Sequence, residues 1–487
     1  MNRQIIKLFA FTMALFAVLI AFTSYWSVFD AEALKEEEAN KRPLIAQQKI
    51  ERGRILTADG EVIARSVRKG RGSSYAYVRR YPQGSVFGHP IGYSYVSKGD
   101  TEFEQYHNDE LIGEGSEFSS ILDELLGRQQ QGNDVVTNID SGAQRIALAG
   151  LDATGFGAVV AIEPKTGRVR VMASKPGYDP NEIPNDKRFT ELSLNEFESP
   201  LYDRASQGQY PPGSTFKVVT AAAGLESGAI TPETTIEAPS PMTFETKPLQ
   251  NDFNDSFGPI SLATALTNSV NTWFAQLGVK VGNETLFRQM EAFGFNSKPP
   301  IDLPSDAVLS SGVFGEDGLL RAGDPVDLAR VAIGQERLLV TPLQNAMVAA
   351  AIANKGKLMR PQIWSRVVDP DGRVVDKLDP SEYKQSVSPE TAAELTTAME
   401  GVVDEGTGTA ARIAGIPVAG KTGTAETPGF ESCAGVADPN QAWFIGFAPA
   451  DDPEIAIAVT VECTEEFGGT AAAPIFHDVA EALLGGE

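Results

Sequence analysis

An apolar segment near the amino terminus is the strongest hydrophobic pattern in the chain. Residues 8–29 carry no charge and read LFAFTMALFAVLIAFTSYWSVF, after the basic residues Arg3 and Lys7. A run of this length can cross a bilayer as one helix. Because acidic residues follow it, the positive-inside rule predicts a membrane anchor over residues 1–29 and an extracytoplasmic location for the rest. A cleaved signal peptide is the alternative, but the run exceeds a usual signal core and no A-x-A site closes it.

Short strand-like runs joined by turn signals predict two β-hairpins. The first is RGRILTADGEVIARSV at residues 52–67, in which Asp59-Gly60 is a turn signal between two short strands. The second consists of AVVAIEP and RVRVMAS, which flank Lys165-Thr166-Gly167.

Three later runs are also typical of strands, namely IPVAGKTGTA, QAWFIGFAP and EIAIAVTVEC. Two strands, a long helical block and three strands ending in a helix predict an α+β fold, with a five-stranded antiparallel sheet flanked by helices. We expect a membrane anchor at 1–29, a smaller mixed pedestal domain at 30–155 and the domain with this sheet at 156–487. Individual helices are predicted at residues 31–42, 118–126, 342–354 and 472–484.

Composition narrows the choice of partner. The 487 residues include 41 Lys or Arg and 65 Asp or Glu, a formal charge of −24, which disfavours nucleic acid as a partner. Two cysteines and three histidines cannot build a structural zinc site alone. The histidines are scattered and none lies beside a nucleophile signature, which is evidence against Ser-His-Asp chemistry.

Candidate chemistry begins at Ser214 and Lys217, within YPPGSTFKVVTAAAGLESG. The two residues are three apart, so they are neighbours on one face of a helix that we expect to open at Ser214. The helix is apolar on nearly all sides, and a buried lysine loses its charge readily and becomes a base for the serine proton. The alternative is a serine N-cap and a surface lysine, and Ser66 to Lys69 and Ser381 to Lys384 match the same pattern.

A second element is Ser269-Val270-Asn271, between two short helical patterns. A serine and an amide at such a junction could relay a proton and hold a substrate carbonyl group. Alternatively, Asn271 caps the second helix. The tripeptide Ser193-Leu194-Asn195 has the same spacing.

The third element is Lys421-Thr422-Gly423-Thr424, within a strand pattern. Residues 415–422 also match G-x-x-x-x-G-K-[ST], but no helix pattern follows, so a phosphate loop is disfavoured. A strand edge with a lysine, hydroxyl groups and a glycine suits docking of an extended substrate that carries a carboxylate.

In this order, S-x-x-K, S-x-N and K-T-G resemble the motifs of the penicillin-binding protein and serine β-lactamase superfamily. Four segments resemble signatures of class B penicillin-binding proteins, close to the PbpA type of actinobacteria. These segments are YDRASQGQYPPGSTFK, RGRILTADGEVIARS, GQERLLVTPLQNAMVAAAIAN and QAWFIGFAP. The resemblance covers nearly the whole chain, including the anchor.

The resemblance implies a peptidoglycan D,D-transpeptidase that needs no metal or cofactor. Ser214 would attack the D-Ala-D-Ala carbonyl group, with Lys217 as the base. Ser269 would pass a proton to the leaving amine, and Lys421 would tune the pair electrostatically. Asn271 would hold the substrate amide, and the hydroxyl groups of Thr422 and Thr424 would bind the terminal carboxylate. The backbone N–H groups of Ser214 and Thr424 are the expected oxyanion hole.

The implied partners are peptidoglycan stem peptides, on a lipid-linked precursor or a nascent strand, and β-lactam antibiotics. A membrane glycan polymerase and division or elongation proteins are also implied. A β-lactamase, a D,D-carboxypeptidase and a non-catalytic β-lactam sensor or scaffold are the alternatives. The anchor and pedestal are unnecessary for a soluble hydrolase, whereas three intact motifs are evidence against a scaffold.

The two cysteines, Cys433 and Cys463, predict one disulfide. If the last three strands form consecutive antiparallel hairpins, the first and third run in the same direction. Cys433 follows the first and Cys463 ends the third, so both lie at the same edge of the sheet. Thiols outside the cytoplasm tend to oxidise. Two free thiols are the alternative, since the sequence cannot supply the distance between them.

Overall fold

A computed structural model of the protein describes residues 2–26, 48–71, 75–114, 130–426, 433, 436–437 and 439–485. The helices predicted at 31–42 and 118–126 lie outside the described residues, as do residues 27–29 of the predicted anchor. Helix α1 (Asn2–Ser24) begins the chain. Its segment Arg3–Ser24 has a mean hydropathy of 2.5, which makes it long and apolar enough to cross a membrane. A signal sequence would have the same properties.

The next elements surround the first predicted hairpin, which the structure confirms, since β1 and β2 pair in antiparallel fashion. The strands are β1 (Ile55–Leu56), β2 (Val62–Lys69), β3 (Ala76–Arg80), β4 (Ser94–Tyr95), β5 (Gly99–Asp100) and β6 (Asp134–Thr137). The helices are α2 (Gly88–Ile91), α3 (Glu102–Tyr106), α4 (Asn108–Ile112) and α5 (Ser141–Thr154).

The middle of the chain contains the second predicted hairpin, β7 with β8, and then mostly helices and short strands. Its strands are β7 (Phe156–Ile162), β8 (Val169–Lys175), β9 (Ile236–Ala238), β10 (Met242–Phe244), β11 (Lys247–Leu249), β12 (Phe257–Ile260), β13 (Gly312–Gly315), β14 (Gly318–Leu319) and β15 (Leu338–Leu339). Its helices are α6 (Asp186–Ser193), α7 (Lys217–Glu226), α8 (Leu262–Thr267), α9 (Asn271–Val281), α10 (Asn283–Ala292), α11 (Leu328–Val331) and α12 (Pro342–Ala353).

The last part contains the three strands predicted near the carboxyl end. Its strands are β16 (Lys357–Met359), β17 (Trp364–Val368), β18 (Val374–Lys377), β19 (Glu382–Gln385), β20 (Ala419–Glu426), β21 (Asn440–Ala448) and β22 (Ile455–Thr464). Its helices are α13 (Pro389–Asp404), α14 (Gly468–Ala471) and α15 (Ala473–Leu484).

The predicted five-stranded antiparallel sheet is confirmed, in the order β20-β21-β22-β7-β8. Alternate residues of its strands enter two different cores, as a period of two requires. On one face, Val160 and Met172 pack in the core that contains helices α7 and α12. On the other face, Val159 and Val171 pack with helices α5 and α15. Helices therefore cover both faces and leave β20 as an edge strand.

A six-stranded sheet has the order β18-β17-β6-β1-β2-β3. Its strands β17 and β18 come from residues 364–377, although its other four lie before residue 138. Asp302 adds a second connection, because its carboxylate accepts hydrogen bonds from the backbone N–H groups of Ile363 at 2.6 Å and Trp364 at 2.8 Å. The sheet thus takes strands from both sides of residue 155, and the domain boundary placed there stays a prediction.

Candidate active site

The candidate nucleophile lies in a one-turn helical segment that directly precedes a longer helix. A 3₁₀ helix spans Gly213–Phe216 and α7 begins at Lys217, so the single helix expected to open at Ser214 is in fact two. Gly213 has φ +53°, and a Cβ there would lie 2.5 Å from the carbonyl oxygen of Thr424. A residue without a side chain is therefore required where this turn meets strand β20. Ser214 is half-buried, and neither its N–H nor its Oγ has a hydrogen-bond partner among the described residues.

Lys217 is fully buried one turn beyond Ser214. Its Nζ donates to the carbonyl oxygen of Ser269 at 2.6 Å, to Ser269 Oγ at 3.1 Å and to Asn271 Oδ1 at 2.6 Å. The first two predicted elements, which lie about fifty positions apart in the sequence, therefore meet through this lysine. Its amine is bonded to the second element and forms no hydrogen bond to Ser214.

Ser269 links the two short helices in a conformation that few side chains adopt. Its φ is +55°, a left-handed conformation that costs an L-residue roughly 1–2 kcal/mol. In this conformation its carbonyl and hydroxyl oxygens both accept from the Lys217 amine. Asn271 is the first residue of α9 and Val270 is its N-cap, so the alternative role of Asn271 as a cap is wrong.

Lys421 reaches the same hydroxyl group from strand β20. It is fully buried, and its Nζ donates to Ser269 Oγ at 3.0 Å and to the carbonyl oxygen of Thr422 at 2.9 Å. A Cβ at Gly423 would lie 2.7 Å from the carbonyl oxygen of Pro212, so the glycine lets β20 approach the turn that carries the nucleophile. The three predicted elements converge here.

The two threonines of this strand already have partners. Thr422 is only 6% exposed, and its Oγ1 lies 2.6 Å from Thr407 Oγ1. Thr424 Oγ1 accepts a hydrogen bond from the backbone N–H of Gly468 at 3.2 Å. A carboxylate ligand would therefore bind beside Thr407 and Gly468 as well.

The look-alike motifs lie elsewhere. Ser66 and Lys69 belong to strand β2, and Lys384 Nζ donates to the carbonyl oxygen of Glu291. The tripeptide that begins at Ser193 ends helix α6. Residues 415–422 lead into strand β20, so they do not form a phosphate loop. Residues 165–167 form the hairpin turn between β7 and β8.

Burial favours the neutral forms of both lysine amines. The pKa of Lys217 is well below its usual range because of burial and, secondarily, the positive charge of Lys421, while Asp252 opposes the shift. Burial also lowers the pKa of Lys421, to about 7, again against the effect of Asp252. At neutral pH the site therefore contains an amine able to accept a proton next to a second amine that titrates.

Sequence reasoning missed Asp252 and Thr407. Asp252 lies in the 3₁₀ helix Asp252–Asn254, and its Oδ1 lies 3.5 Å from Asn271 Nδ2, which also donates to the carbonyl oxygen of Gln250 at 2.9 Å. The polar run QNDFND before the second motif could have pointed to this loop. No local signal identifies Thr407, because its partner Thr422 is 15 positions away.

Cys433 and Cys463 form a disulfide with a Cα–Cα distance of 5.0 Å. Cys463 lies in β22, and Cys433 lies between β20 and β21. The bond thus fixes a point of the connection that follows the strand of Lys421, as the strand directions led us to expect.

Two family patterns match the chain. Residues 157–481 match the penicillin binding protein transpeptidase domain, and residues 52–135 match the penicillin binding protein A dimerisation domain. The chain is 34% identical to peptidoglycan D,D-transpeptidase PbpA of Mycolicibacterium smegmatis, over 99% of both chains. It is 32% identical to stage V sporulation protein D of Bacillus subtilis, over 84% of this chain and 64% of that protein.

Solved structures share this fold. The ceftriaxone acyl-enzyme complex of penicillin-binding protein A from Mycobacterium tuberculosis has a TM-score of 0.80 at 34% identity, over 90% of this chain and 100% of that chain. The D,D-transpeptidase domain of a peptidoglycan glycosyltransferase from Eggerthella lenta has a TM-score of 0.77 at 34% identity, over 90% and 99% of the two chains.

Replacement of Asp252 tests the electrostatics of the site. We expect Asp252→Asn to lower the pKa of both Lys217 and Lys421, because the carboxylate favours the charged form of each amine. Titration of ¹³C-labelled lysine side chains by NMR measures both values. Asp255→Asn, three positions along the same loop, is the control and should leave both titrations in place. An unchanged Lys421 midpoint in Asp252→Asn would contradict this account.

Proposed function

The chain belongs to the penicillin-binding protein transpeptidase family, and from that membership we propose that it is a peptidoglycan D,D-transpeptidase of the PbpA type. It cross-links stem peptides through an acyl-enzyme on Ser214 and is acylated by β-lactams at the same atom. The observation that carries this proposal is the contact of two buried lysines, Lys217 and Lys421, with the hydroxyl group of Ser269, because Lys217 lies three positions after that nucleophile.

Acylation is the first half of the reaction. Ser214 Oγ attacks the carbonyl carbon of the penultimate D-Ala, and its proton passes to the neutral amine of Lys217. The new ester forms as the peptide C–N bond breaks, and a proton relayed through Ser269 Oγ leaves with the amine of D-Ala. The backbone N–H groups of Ser214 and Thr424 stabilise the oxyanion. Lys421 tunes the relay through its charge.

Deacylation completes the cross-link. The amine of a second stem peptide attacks the ester carbonyl group, an amide bond forms, and the proton from the amine returns to Ser214 Oγ by the same relay. Asn271 holds the substrate amide. To do so, its Nδ2 releases the carbonyl oxygen of Gln250 and donates instead to a carbonyl oxygen of the substrate. Gly423 leaves room along β20 for the extended peptide, and in the earlier acylation step Thr422 and Thr424 bind the terminal carboxylate of the D-Ala that leaves.

The location and partners of the enzyme follow from the same family. Helix α1 anchors the protein in the membrane, and the catalytic part lies outside the cytoplasm, where its substrate is assembled. The stem peptides come from a lipid-linked precursor or a nascent strand. A membrane glycan polymerase and division or elongation proteins are the partners of such an enzyme.

A fluorescent penicillin tests the identity of the nucleophile. We expect Ser214→Ala to abolish covalent labelling of the full-length protein, because no ester can form without its Oγ. Ser66→Ala and Ser381→Ala are matched controls from the two look-alike motifs and should label at the wild-type rate. Gel fluorescence and mass spectrometry of the labelled peptide measure the result. Labelling that persists in Ser214→Ala would show that Ser214 is not the nucleophile.

Product analysis distinguishes transfer from hydrolysis. The protein is incubated with a thioester that mimics the stem peptide and with an acceptor amine, and the products are identified by mass spectrometry. We expect the acyl group on the acceptor, and a rate roughly 10²–10⁴-fold lower in Lys217→Ala, the range for loss of a general base. Hydrolysis products alone would identify a carboxypeptidase instead.

Membrane topology is tested with a reporter fused after Glu487. Because Arg3 and Lys7 precede the uncharged run of residues 8–29, we expect activity from a reporter that works only outside the cytoplasm and none from a cytoplasmic one. Recovery of a soluble mature protein that lacks its first 29 or so residues would show a cleaved signal peptide instead.

A further inference from the structure

Positive charge is concentrated in one small part of this acidic protein. The whole chain carries −24, but residues 48–80 contain nine Lys or Arg residues and three Asp or Glu residues, a formal charge of +6. From Arg65 to Arg80 the chain has six basic residues and no acidic one. Because the sign of the net charge is reversed in this segment, we expect its surface to attract anions while the rest of the protein repels them.

These residues form an arm, which we call the basic arm and define as residues 65–71 and 75–80. Strand β2 pairs with β1 only as far as Ala64, and from Arg65 to Lys69 it pairs with β3 alone. Strand β3 is the last strand of the six-stranded sheet. The basic arm is therefore a two-stranded extension of that sheet, at the edge opposite β18.

The charges of the basic arm are not neutralised within the described part of the chain. Arg79 is buried at the base and pairs with Glu104 at 2.6 Å. The other five basic residues of the arm form no ion pair with a carboxylate of a described residue. These five are Arg65, Arg68, Lys69, Arg71 and Arg80. Arg65 even lies directly opposite Arg80 in the register of the two strands, a pairing of like charges that destabilises a hairpin.

Apolar and aromatic groups accompany these charges. Val67 is 36% exposed between Arg65 and Lys69 on one face of the basic arm. The guanidinium group of Arg68 lies 4.3 Å from the centre of the Tyr75 ring. Basic residues interleaved with partly exposed tyrosine and valine are the composition of surfaces that rest on a membrane interface.

The chain enters the folded part beside the basic arm. The carbonyl oxygen of Gln48 accepts a hydrogen bond from the backbone N–H of Tyr77 at 2.8 Å. Only residues 27–47 separate this point from the described end of the apolar helix segment, and even a fully extended chain of that length spans at most about 75 Å. An anchored helix α1 thus keeps the basic arm within reach of the bilayer at a high effective concentration.

We propose that the basic arm docks on the anionic phospholipid headgroups of the bilayer that α1 crosses. This rests on the proposed anchoring of α1. The docked arm would fix the six-stranded sheet, and through strands β17 and β18 the catalytic part, at a defined height above the membrane. Because the contact is electrostatic, it weakens with salt and with loss of anionic lipid.

Energy transfer from a dye to acceptor-labelled lipid tests this proposal on the full-length protein in nanodiscs. The dye is placed on Val67→Cys in the basic arm or on Val374→Cys in β18, at the opposite edge of the same sheet. We expect transfer from position 67, but not from 374, to rise when phosphatidylcholine is partly replaced by phosphatidylglycerol. The rise should disappear at high salt. Equal transfer in both lipids would overturn the proposal.

Charge reversal provides the matched comparison. Arg68→Glu, Lys69→Glu and Arg71→Glu together should weaken the response to phosphatidylglycerol at least about tenfold, measured as the lipid fraction needed for half-maximal transfer. Arg366→Glu, Arg373→Glu and Lys377→Glu at the other edge change the net charge equally and should have no effect. Unchanged penicillin labelling shows that each variant is folded. Equal losses in both triple variants would overturn the proposal.

Three further results would also overturn it, each in a recognisable way. A response only to neutral discs that contain the lipid-linked peptidoglycan precursor would identify its pyrophosphate as the ligand. A response only when a membrane glycan polymerase is added would identify a protein interface. Failure of the full chain to float with any vesicle would show that the anchoring itself is wrong, whereas flotation without a lipid-dependent response overturns the arm alone.

Discussion

Two lysine amines buried around one serine oxygen are the constraint on which the rest of the structure depends. Lys217 and Lys421 are both 0% exposed, and each donates to Ser269 Oγ. Burial of a charged amine is costly unless it is paired, and the pKa of Lys421 accordingly falls from 10.5 to about 7. Between these pH values the unfolded chain binds more protons than the native one, so this group makes stability rise with pH. Below about pH 7 the amine of Lys421 is charged in both states, so the full cost of burying that charge lowers the stability of the native state.

The backbone around the site is arranged to bring these amines together. Gly213 and Gly423 have no room for a Cβ where the nucleophile turn meets strand β20, and this close approach places Lys421 beside Ser269. Ser269 keeps a left-handed conformation that presents two oxygens to Lys217. Local strain of this kind persists only where the surrounding structure over-determines it, as the helices α8 and α9 do here.

The parts of the chain before and after residue 155 are connected through shared elements. Strands β17 and β18 complete a sheet that begins with β1 and β2, and Asp302 binds the backbone of β17 and the segment before it. His107 extends this connection, since its Nε2 lies 3.5 Å from Asp302 Oδ2. Burial lowers the pKa of this imidazole, but the carboxylates of Asp302 and Glu110 raise it overall. The position of the catalytic part relative to the six-stranded sheet therefore depends on a continuous set of paired strands and a buried charged contact.

Structural features that depend on a few neighbouring residues could be predicted from the sequence alone. Turn signals between short strand-like runs indicated both hairpins, and three later runs were typical of strands. The Ser214-Lys217 spacing placed both residues within one helical turn. The directions of consecutive antiparallel strands even brought Cys433 and Cys463 to one edge. These inferences succeeded because each depends on backbone geometry over a few residues or on the simplest connection between neighbouring strands.

The tertiary structure alone decided how the candidate site is assembled. Lys217 is bonded to Ser269, 52 positions away, and Lys421 to the same residue across 152 positions, distances that no local pattern encodes. Asp252 and Thr407 joined the site without a motif, and residues 364–377 entered a sheet formed mostly by the first 137 residues. Side-chain pKa values depend on burial and on neighbouring charges, and both exist only once distant segments have packed. The sequence by itself predicted which residues carry the chemistry, and packing determined which of them meet and in what state of charge.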